Sequence, residues 1–129
     1  MSDPTYIDDF TRPVHLSPAT TALLIVDMQN ASGKRNYGLG RMLAQQGKLA
    51  DADYRFSRIE NLIVPNVKRL ADAFRGIGAR VMYVTYGCNQ PDFSDAPVHL
   101  REWLIATNNR AGAVEHEIVE ELKPLPGEM

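Results

Sequence analysis

Three polar residues that can form hydrogen bonds or transfer protons follow an apolar run near the start of the chain. Asp27, Gln29 and Asn30 come just after Ala22–Val26, which is apolar throughout without alternation. Such a run is typical of a strand covered on both faces, as in a parallel sheet flanked by helices. Because ligands of open α/β sheets collect at the carboxyl ends of strands, Asp27 is a candidate for proton transfer. From spacing alone, an Asp that opens a turn or caps the next helix is an equally good interpretation.

The composition indicates one ordinary globular domain. The chain has 129 residues, of which 44% are hydrophobic and 23% charged, and its net charge is −2. This balance gives no electrostatic reason to expect nucleic acid or a membrane as a partner. No apolar run approaches the roughly 20 residues of a spanning helix, and the acidic N-terminus does not resemble a signal peptide. A single cysteine excludes an internal disulfide, and we expect a cytoplasmic protein.

The elements around this run form a predicted βαβ unit. Residues 1–20, with Pro4, Pro13 and Pro18, are expected to be an extended surface arm. Ser57 and Glu60 have the spacing of a capping box, and the helical spacing of apolar residues continues to about residue 75. Pro65 lies inside this pattern, so either the helix kinks there or its regular part begins there. Residues 79–86 are a second buried-type strand.

The segment between the first strand and this helix is expected to be a long glycine-bearing loop that contributes to the site. Its Gly38 and Gly40 lack a third glycine and do not directly follow the strand, so a dinucleotide fingerprint is not indicated. Three basic side chains of this segment could bind an anionic group of a substrate. The favoured interpretation is that they lie on a solvated face of the loop. They are Lys34, Arg35 and Arg41.

The residues after the second strand give little further indication of a catalytic or metal-binding site. Cys88 follows the second strand and is a possible nucleophile, but a partly buried bystander is favoured over it. The three histidines, His15, His99 and His116, have no metal-ligand spacing, so no metal site is predicted. Residues 114–122 are expected to form a short helix with an exposed acidic side.

Several segments together resemble the isochorismatase-like cysteine hydrolases. They are ALLIVDMQN at the first strand, IVPNVKRLADAFRGIGARVMYV over the helix and second strand, and ELKPLPGE near the end. The loop after DMQ and the segment QPDFSDAP are most similar to the ureidoacrylate and biuret amidohydrolase branch. The resemblance implies a Rossmann-like α/β fold with a doubly wound, mostly parallel sheet.

The resemblance also implies a function, namely hydrolysis of a C–N bond in a small amide or ureide by a cysteine nucleophile with an Asp and a Lys. Asp27 matches the catalytic Asp, and we expect Gln29 and Asn30 to bind substrate. The family's Lys and Cys lie beyond residue 129; Lys123 precedes the Lys position, and Cys88 follows the wrong strand. We expect no cofactor and a homo-oligomer.

Two convincing strands are few for a doubly wound sheet, which averages about five or six. Residues 21–129 are therefore interpreted as the N-terminal part of a domain of roughly 200 residues. One hypothesis is a hydrolase whose remaining half lies elsewhere. The alternative is a catalytically silent α/β module that serves binding or assembly.

Overall fold

The computed structural model describes residues 5–129, which form an α/β arrangement of two strands and five α-helices. The strands are β1 (Ala22–Val26) and β2 (Arg80–Val84). The helices are α1 (Asn30–Gly33), α2 (Gly38–Gln45), α3 (Asp53–Arg58), α4 (Val64–Gly76) and α5 (Arg101–Thr107). Short 3₁₀ turns cover Leu49–Ala52, Val114–His116 and Glu120–Leu122.

The two strands pair in parallel, with Ala22 opposite Arg80 and Val26 opposite Val84. The predicted α/β class and the strand–helix–strand order are therefore confirmed. The sheet of the described residues has these two strands, so the doubly wound sheet stays a prediction. Parallel pairing places the residues after β1 and after β2 at the same edge of the sheet.

The connection between the strands is a helical path that starts earlier than predicted. α3 leads through a π-helical turn at Ile59–Ile63 into α4, which has Pro65 in its first turn. The regular helix thus resumes close to Pro65, where a missing N–H costs least. The predicted capping box is wrong, because Ser57 lies inside α3 and its hydroxyl bonds Arg35 and Asp53 instead. Gly78 ends the path with φ +72°, a conformation that favours glycine.

The part of the core that packs against the strands lies on one face of the sheet. Ile25 and Val81 pack there against Ala71 of α4, and all three are buried. The opposite face carries Leu24 and Val26, whose exposed fractions are 52% and 50%. The expectation that β1 is covered on both faces is therefore wrong for the described residues, because helices pack on one side only.

The segment expected to be a loop is largely helical, since it contains α1, α2 and the start of α3. Two of its glycines, Gly38 and Gly40, allow close packing. A Cβ on Gly38 would clash with the backbone of Ala31, and one on Gly40 would clash with the backbone of Arg35. Glycine composition therefore indicates tight helix contacts here and not irregular structure.

The structure contradicts one expectation near the C-terminal end of the chain and agrees with one near the N-terminal end. Residues 114–122 form two 3₁₀ turns instead of a helix, and Glu115 is buried because Arg41 and Asn108 bond its carboxylate. Residues 5–20 are mostly exposed and contain neither helix nor strand, as expected of an arm, while Pro4 lies outside the described residues. Within residues 5–129 no helix is both long and apolar enough to cross a membrane.

Candidate functional site

Asp27 lies at the carboxyl end of β1 in an unusual backbone conformation. Its φ is +58°, a region that residues other than glycine seldom adopt, although Asp tolerates it better than most. Its N–H donates to the carbonyl of Val84 at 2.9 Å, which ties it to the end of β2. The carboxylate itself is open to solvent. Such local strain persists only where neighbouring contacts hold it.

Gln29, two residues further along, provides one such contact, because its N–H donates to the carbonyl of Asp27 at 2.9 Å. Its side chain is fully buried and bonds the segment after β2 from both ends of the amide. The Oε1 atom accepts the Tyr86 N–H at 3.0 Å, and Nε2 donates to the Tyr86 carbonyl at 3.0 Å. The same Nε2 donates to the His116 carbonyl at 2.8 Å. One side chain therefore joins β1, the segment after β2 and the C-terminal part of the chain.

His116 and Asn109 complete this buried junction. The Nδ1 atom of His116 lies 2.9 Å from Oδ1 of Asn109 and 3.2 Å from Nε2 of Gln29. Burial lowers the pKa of His116, which favours the neutral imidazole in this position. Asn109 is fully buried, and within residues 5–129 its Nδ2 finds no hydrogen-bond partner. We call Gln29, Tyr86, Asn109 and His116 the strand-end junction.

Asn30 is bonded in a similar way to the C-terminal part of the chain. Its Nδ2 donates to the Val114 carbonyl at 2.9 Å, and its backbone N–H donates to the Glu117 carbonyl at 2.9 Å. The structure therefore brings Gln29 and Asn30 to the end of β1 beside Asp27, as the sequence suggests. Their amide groups, however, are engaged by the protein itself.

An open cleft of about 390 Å³ lies beside Asp27. It runs between the end of β1 and the α3–α4 path, and neither Gln29 nor Asn30 lines it. Apolar side chains form much of its surface, and three charged side chains also line it. Its lining includes Asp27, Met28, Ser32, Arg55, Arg58 and Ile59. A carboxylate at the rim of a mixed apolar and polar cleft can accept a proton from a group that enters the cleft.

Cys88 is not placed to act as a nucleophile. It is buried in a cluster with Ala96 and Leu104, and its backbone N–H donates to the Asn109 carbonyl. Burial raises the pKa of the thiol, and the nearby Asp95 carboxylate raises it further. Both effects favour the unreactive thiol over the thiolate. This placement agrees with the bystander interpretation.

The three basic residues considered as anion-binding candidates, Lys34, Arg35 and Arg41, are engaged in ion pairs. Lys34 pairs with Glu121, and Arg41 pairs with the buried Glu115 at 2.9 Å. Arg35 bonds both Asp53 and Glu60. These ion pairs therefore hold the helices and turns of the chain together. Neither of the two interpretations from the sequence, substrate binding or a solvated face, predicted this role.

Sequence reasoning missed Asn109, His116 and Glu115. The first two are 80 and 87 residues from Gln29, so no local spacing could indicate the junction. In the described part of the chain, 5–129, no group of three or more His, Cys, Asp or Glu side chains could hold a metal ion.

Comparison with known proteins gives one informative similarity. No protein-family model matches the chain. The chain is 28% identical to the ureidoacrylate amidohydrolase RutB of Agrobacterium fabrum over 133 aligned positions. The alignment covers 91% of this chain and 53% of that protein, so the chain spans about half the length of this curated relative. The sequence is thus similar, along almost all of its length, to part of an amidohydrolase.

Proposed function

We propose that this chain is the N-terminal part of a hydrolase that cleaves a C–N bond in a small amide or ureide. Asp27 is its catalytic acid and base, and a cysteine nucleophile and a lysine come from polypeptide outside residues 1–129. The complete domain has a doubly wound, mostly parallel sheet, and the enzyme is a cytoplasmic homo-oligomer. The similarity to an amidohydrolase and the family resemblance of the DMQN segment support this proposal.

One observation carries the proposal, namely the way Asp27 is held. The residue has a strained backbone at the end of a parallel strand, and both its neighbouring strand and the strand-end junction fix it there. Strain maintained by surrounding contacts is a feature of functional sites, and the carboxyl edge of the sheet is where α/β ligands bind.

The proposed reaction has two steps. The carboxylate of Asp27 accepts the thiol proton as the sulfur attacks the carbonyl carbon of the substrate. The protonated Asp27 then gives this proton to the leaving nitrogen, and the C–N bond breaks to leave a thioester on the enzyme. Water then attacks the thioester carbon while Asp27 accepts a proton from it. The C–S bond breaks, the acid product leaves, and Asp27 returns the proton to the sulfur, which restores the thiol and the carboxylate. The lysine ammonium stabilises the negative charge of Asp27 and of the thiolate.

Gln29 and Asn30 act in this proposal as positioning residues. Their amides have no useful pKa, so they can only orient groups. Because both are bonded to the protein itself, they orient Asp27 and the segment after β2 and do not contact the substrate directly. This modifies the expectation from the sequence that they bind substrate.

The substitution Asp27→Asn in the intact enzyme tests the proposal. Asn keeps the size and hydrogen bonding of Asp but cannot accept a proton, so the rate of ammonia release should fall about 10²–10⁴-fold. Asp51→Asn is the matched control, because Asp51 is an exposed carboxylate on a 3₁₀ turn outside the cleft. Its rate should stay within about twofold of wild type.

The substrates for this assay are ureido acids and simple primary amides. Near-normal turnover in Asp27→Asn would leave Asp27 as a structural residue and would contradict the mechanism. If the intact wild-type protein hydrolyses neither class of substrate, the catalytically silent module becomes the better explanation.

A further inference from the structure

The hydrogens of the Gln29 amide are fully used within the strand-end junction. The orientation of this amide is fixed, since its Oε1 accepts the Tyr86 N–H at 3.0 Å and a reversed amide would place two N–H donors face to face. Its Nε2 carries two hydrogens, and the two nearest acceptors are backbone carbonyls, that of His116 at 2.8 Å and that of Tyr86 at 3.0 Å. Both hydrogens are therefore taken by carbonyls, and the imidazole of His116 receives neither of them.

The imidazole of His116 must therefore supply the hydrogen of its own bond to Asn109. Its Nδ1 lies 2.9 Å from Oδ1 of Asn109, and Nε2 of Gln29 approaches the same oxygen at 3.3 Å. A reversed Asn109 amide would turn an N–H group toward this Nε2, donor against donor. With the oxygen inward, Nδ1 of His116 has to be the donor, because two lone pairs at this distance would repel each other. The neutral ring is therefore the Nδ1–H tautomer, and its Nε2 carries the lone pair.

Close packing holds the ring of His116 in this position. The ring lies directly against the backbone that follows β2, since a Cβ on Gly87 would be 2.6 Å from Nδ1. The same Cβ would be 2.9 Å from the carbonyl oxygen of Asn109. Burial lowers the pKa of His116, which keeps the ring neutral at neutral pH. A larger residue at position 87 would therefore displace the ring from the junction.

Gln29 connects this arrangement to Asp27. The backbone N–H of Gln29 donates to the Asp27 carbonyl, and the N–H of Asp27 donates to the Val84 carbonyl. The side chain of Gln29 in turn bonds both backbone polar groups of Tyr86, two residues after Val84. The amide of Gln29 thus ties together the two backbone segments that meet at Asp27. Nδ1 of His116 stands 3.2 Å from the Nε2 atom of this amide, so the ring limits its movement.

We propose that His116, as its Nδ1–H tautomer, is a positioning residue for Asp27 that acts through the Gln29 amide. This role rests on the proposed function, in which Asp27 transfers the protons. His116 lies outside the lining of the cleft beside Asp27, as residues 5–129 form it, so it holds the catalytic residue in place and transfers no proton itself. A displacement of about 1 Å at a catalytic group can cost about 10²-fold in rate. A junction that does not touch the substrate therefore controls kcat.

The ring-nitrogen chemical shifts of His116 test the tautomer. They are read from long-range ¹H–¹⁵N correlation spectra of the intact protein at about pH 8, where the neutral ring predominates. We expect a protonated Nδ1 and an unprotonated Nε2. Neutral histidine in water favours the opposite tautomer, so this result would report the bond to Asn109 and not an intrinsic preference of the ring.

Substitutions of His116 in the intact enzyme test the positioning role. Nδ2 of asparagine is bonded to Cγ, as is Nδ1 of histidine, so His116→Asn keeps a donor at the required place. The amide nitrogen of His116→Gln lies one bond further out and cannot replace it. We expect kcat to fall about 10–10²-fold in His116→Leu and His116→Gln, with KM changed by less than about threefold, and His116→Asn to recover most of the loss. His99→Asn is the matched control, since His99 is exposed and lies outside the junction, and it should leave both constants unchanged.

Amide hydrogen exchange at Asp27 reports the position of this residue without any need for hydrolysis. Its N–H donates to the carbonyl of Val84, so exchange is slow while Asp27 is held in place. Exchange should quicken about tenfold in His116→Leu and stay close to wild type in His116→Asn.

Several results would overturn the proposal. They are the opposite tautomer, unchanged exchange at Asp27 in His116→Leu, and a His116→Leu enzyme that is less stable but keeps its kcat. Equal loss of kcat in His116→Asn and His116→Leu, together with a changed acidic limb of the pH–rate profile, would make His116 a proton-transfer group instead. The tautomer and the exchange at Asp27 do not depend on hydrolysis. If both are as expected in a protein that cleaves no amide or ureide, the proposed function fails and the positioning of Asp27 by His116 stands.

Discussion

The two faces of the β1–β2 sheet are both apolar in sequence but differ in structure. On one face, Ile25 and Val81 pack against Ala71 of α4 and are shielded from water. On the other face, Leu24, Val26 and Val84 remain about half exposed. Side chains of a strand alternate between faces, so adjacent residues of β1 have opposite environments. We call these the covered face and the open face.

The strand-end junction is well packed although one face of the sheet is exposed. Gln29 is fully buried, and both its oxygen and its nitrogen are bonded within the described residues. Asp27 is held by hydrogen bonds to the backbone of Val84 and of Gln29, and not by the apolar side chains of the open face. Apolar faces of this size in parallel sheets are normally covered by further elements. The local geometry of the candidate site therefore does not depend on whether the open face is covered. Substitutions at the two places can test this independence.

The largest effect on stability is expected on the covered face. Ile25→Ala removes a buried branched side chain between β2 and α4, and the cavity should lower the free energy of unfolding by about 2–5 kcal/mol. Urea unfolding followed by the fluorescence of Trp103 measures this loss. Equal losses for Ile25→Ala and Leu24→Ala in the 129-residue chain would show that the two faces do not differ in solution.

A smaller effect is expected at the strand-end junction. Gln29→Ala leaves the N–H of Tyr86 and the carbonyl of His116 without their partner, and should lower the free energy of unfolding by about 2 kcal/mol. Gln29→Glu is the sharper comparison. It keeps the size and the oxygen that accepts from Tyr86, but turns a carboxylate oxygen toward two carbonyls, so it should be no more stable than the Ala variant at neutral pH. Wild-type stability in Gln29→Glu would argue against the described bonding.

A pH-dependent effect is expected from His116. Because burial lowers its pKa in the folded chain, the unfolded chain takes up a proton first as the pH falls. The stabilisation is therefore present above the ordinary histidine pKa of about 6.5 and is lost as the pH falls toward the folded value. Urea unfolding between about pH 8 and about pH 5 should show this slope in wild type and a flatter one in His116→Gln. Identical slopes would show that His116 titrates alike in both states.

The covered face was predictable from the sequence because its signals are local. The apolar runs of both strands, and the helical spacing that includes Val67 and Ala71, indicate the βαβ unit without knowledge of distant contacts. The same runs also predicted cover on the open face. Sequence pattern reports that a face is apolar, but does not report which polypeptide packs on it.

The strand-end junction could not be predicted in this way. Gln29 bonds residues 57 and 87 positions away, and these pairings appear only after the chain is folded. Glu115 was expected on an exposed acidic face for the same reason, since its partner Arg41 lies on the distant helix α2. What local sequence did indicate was the position of Asp27 at the end of β1.

The smallest effect in the 129-residue chain is expected on the open face. Leu24→Thr replaces a side chain that is 52% exposed, so the free energy of unfolding should change by no more than about 0.5 kcal/mol. Binding of a hydrophobic dye should decrease, because the apolar patch is smaller. In an intact longer protein whose further elements cover this face, the same substitution buries a hydroxyl and should cost about 1–3 kcal/mol. Val14→Thr is the control, since Val14 is exposed on the arm and should be neutral in both polypeptides. A large loss already in the 129-residue chain, accompanied by a dimer in sedimentation, would mean that a second copy covers the open face.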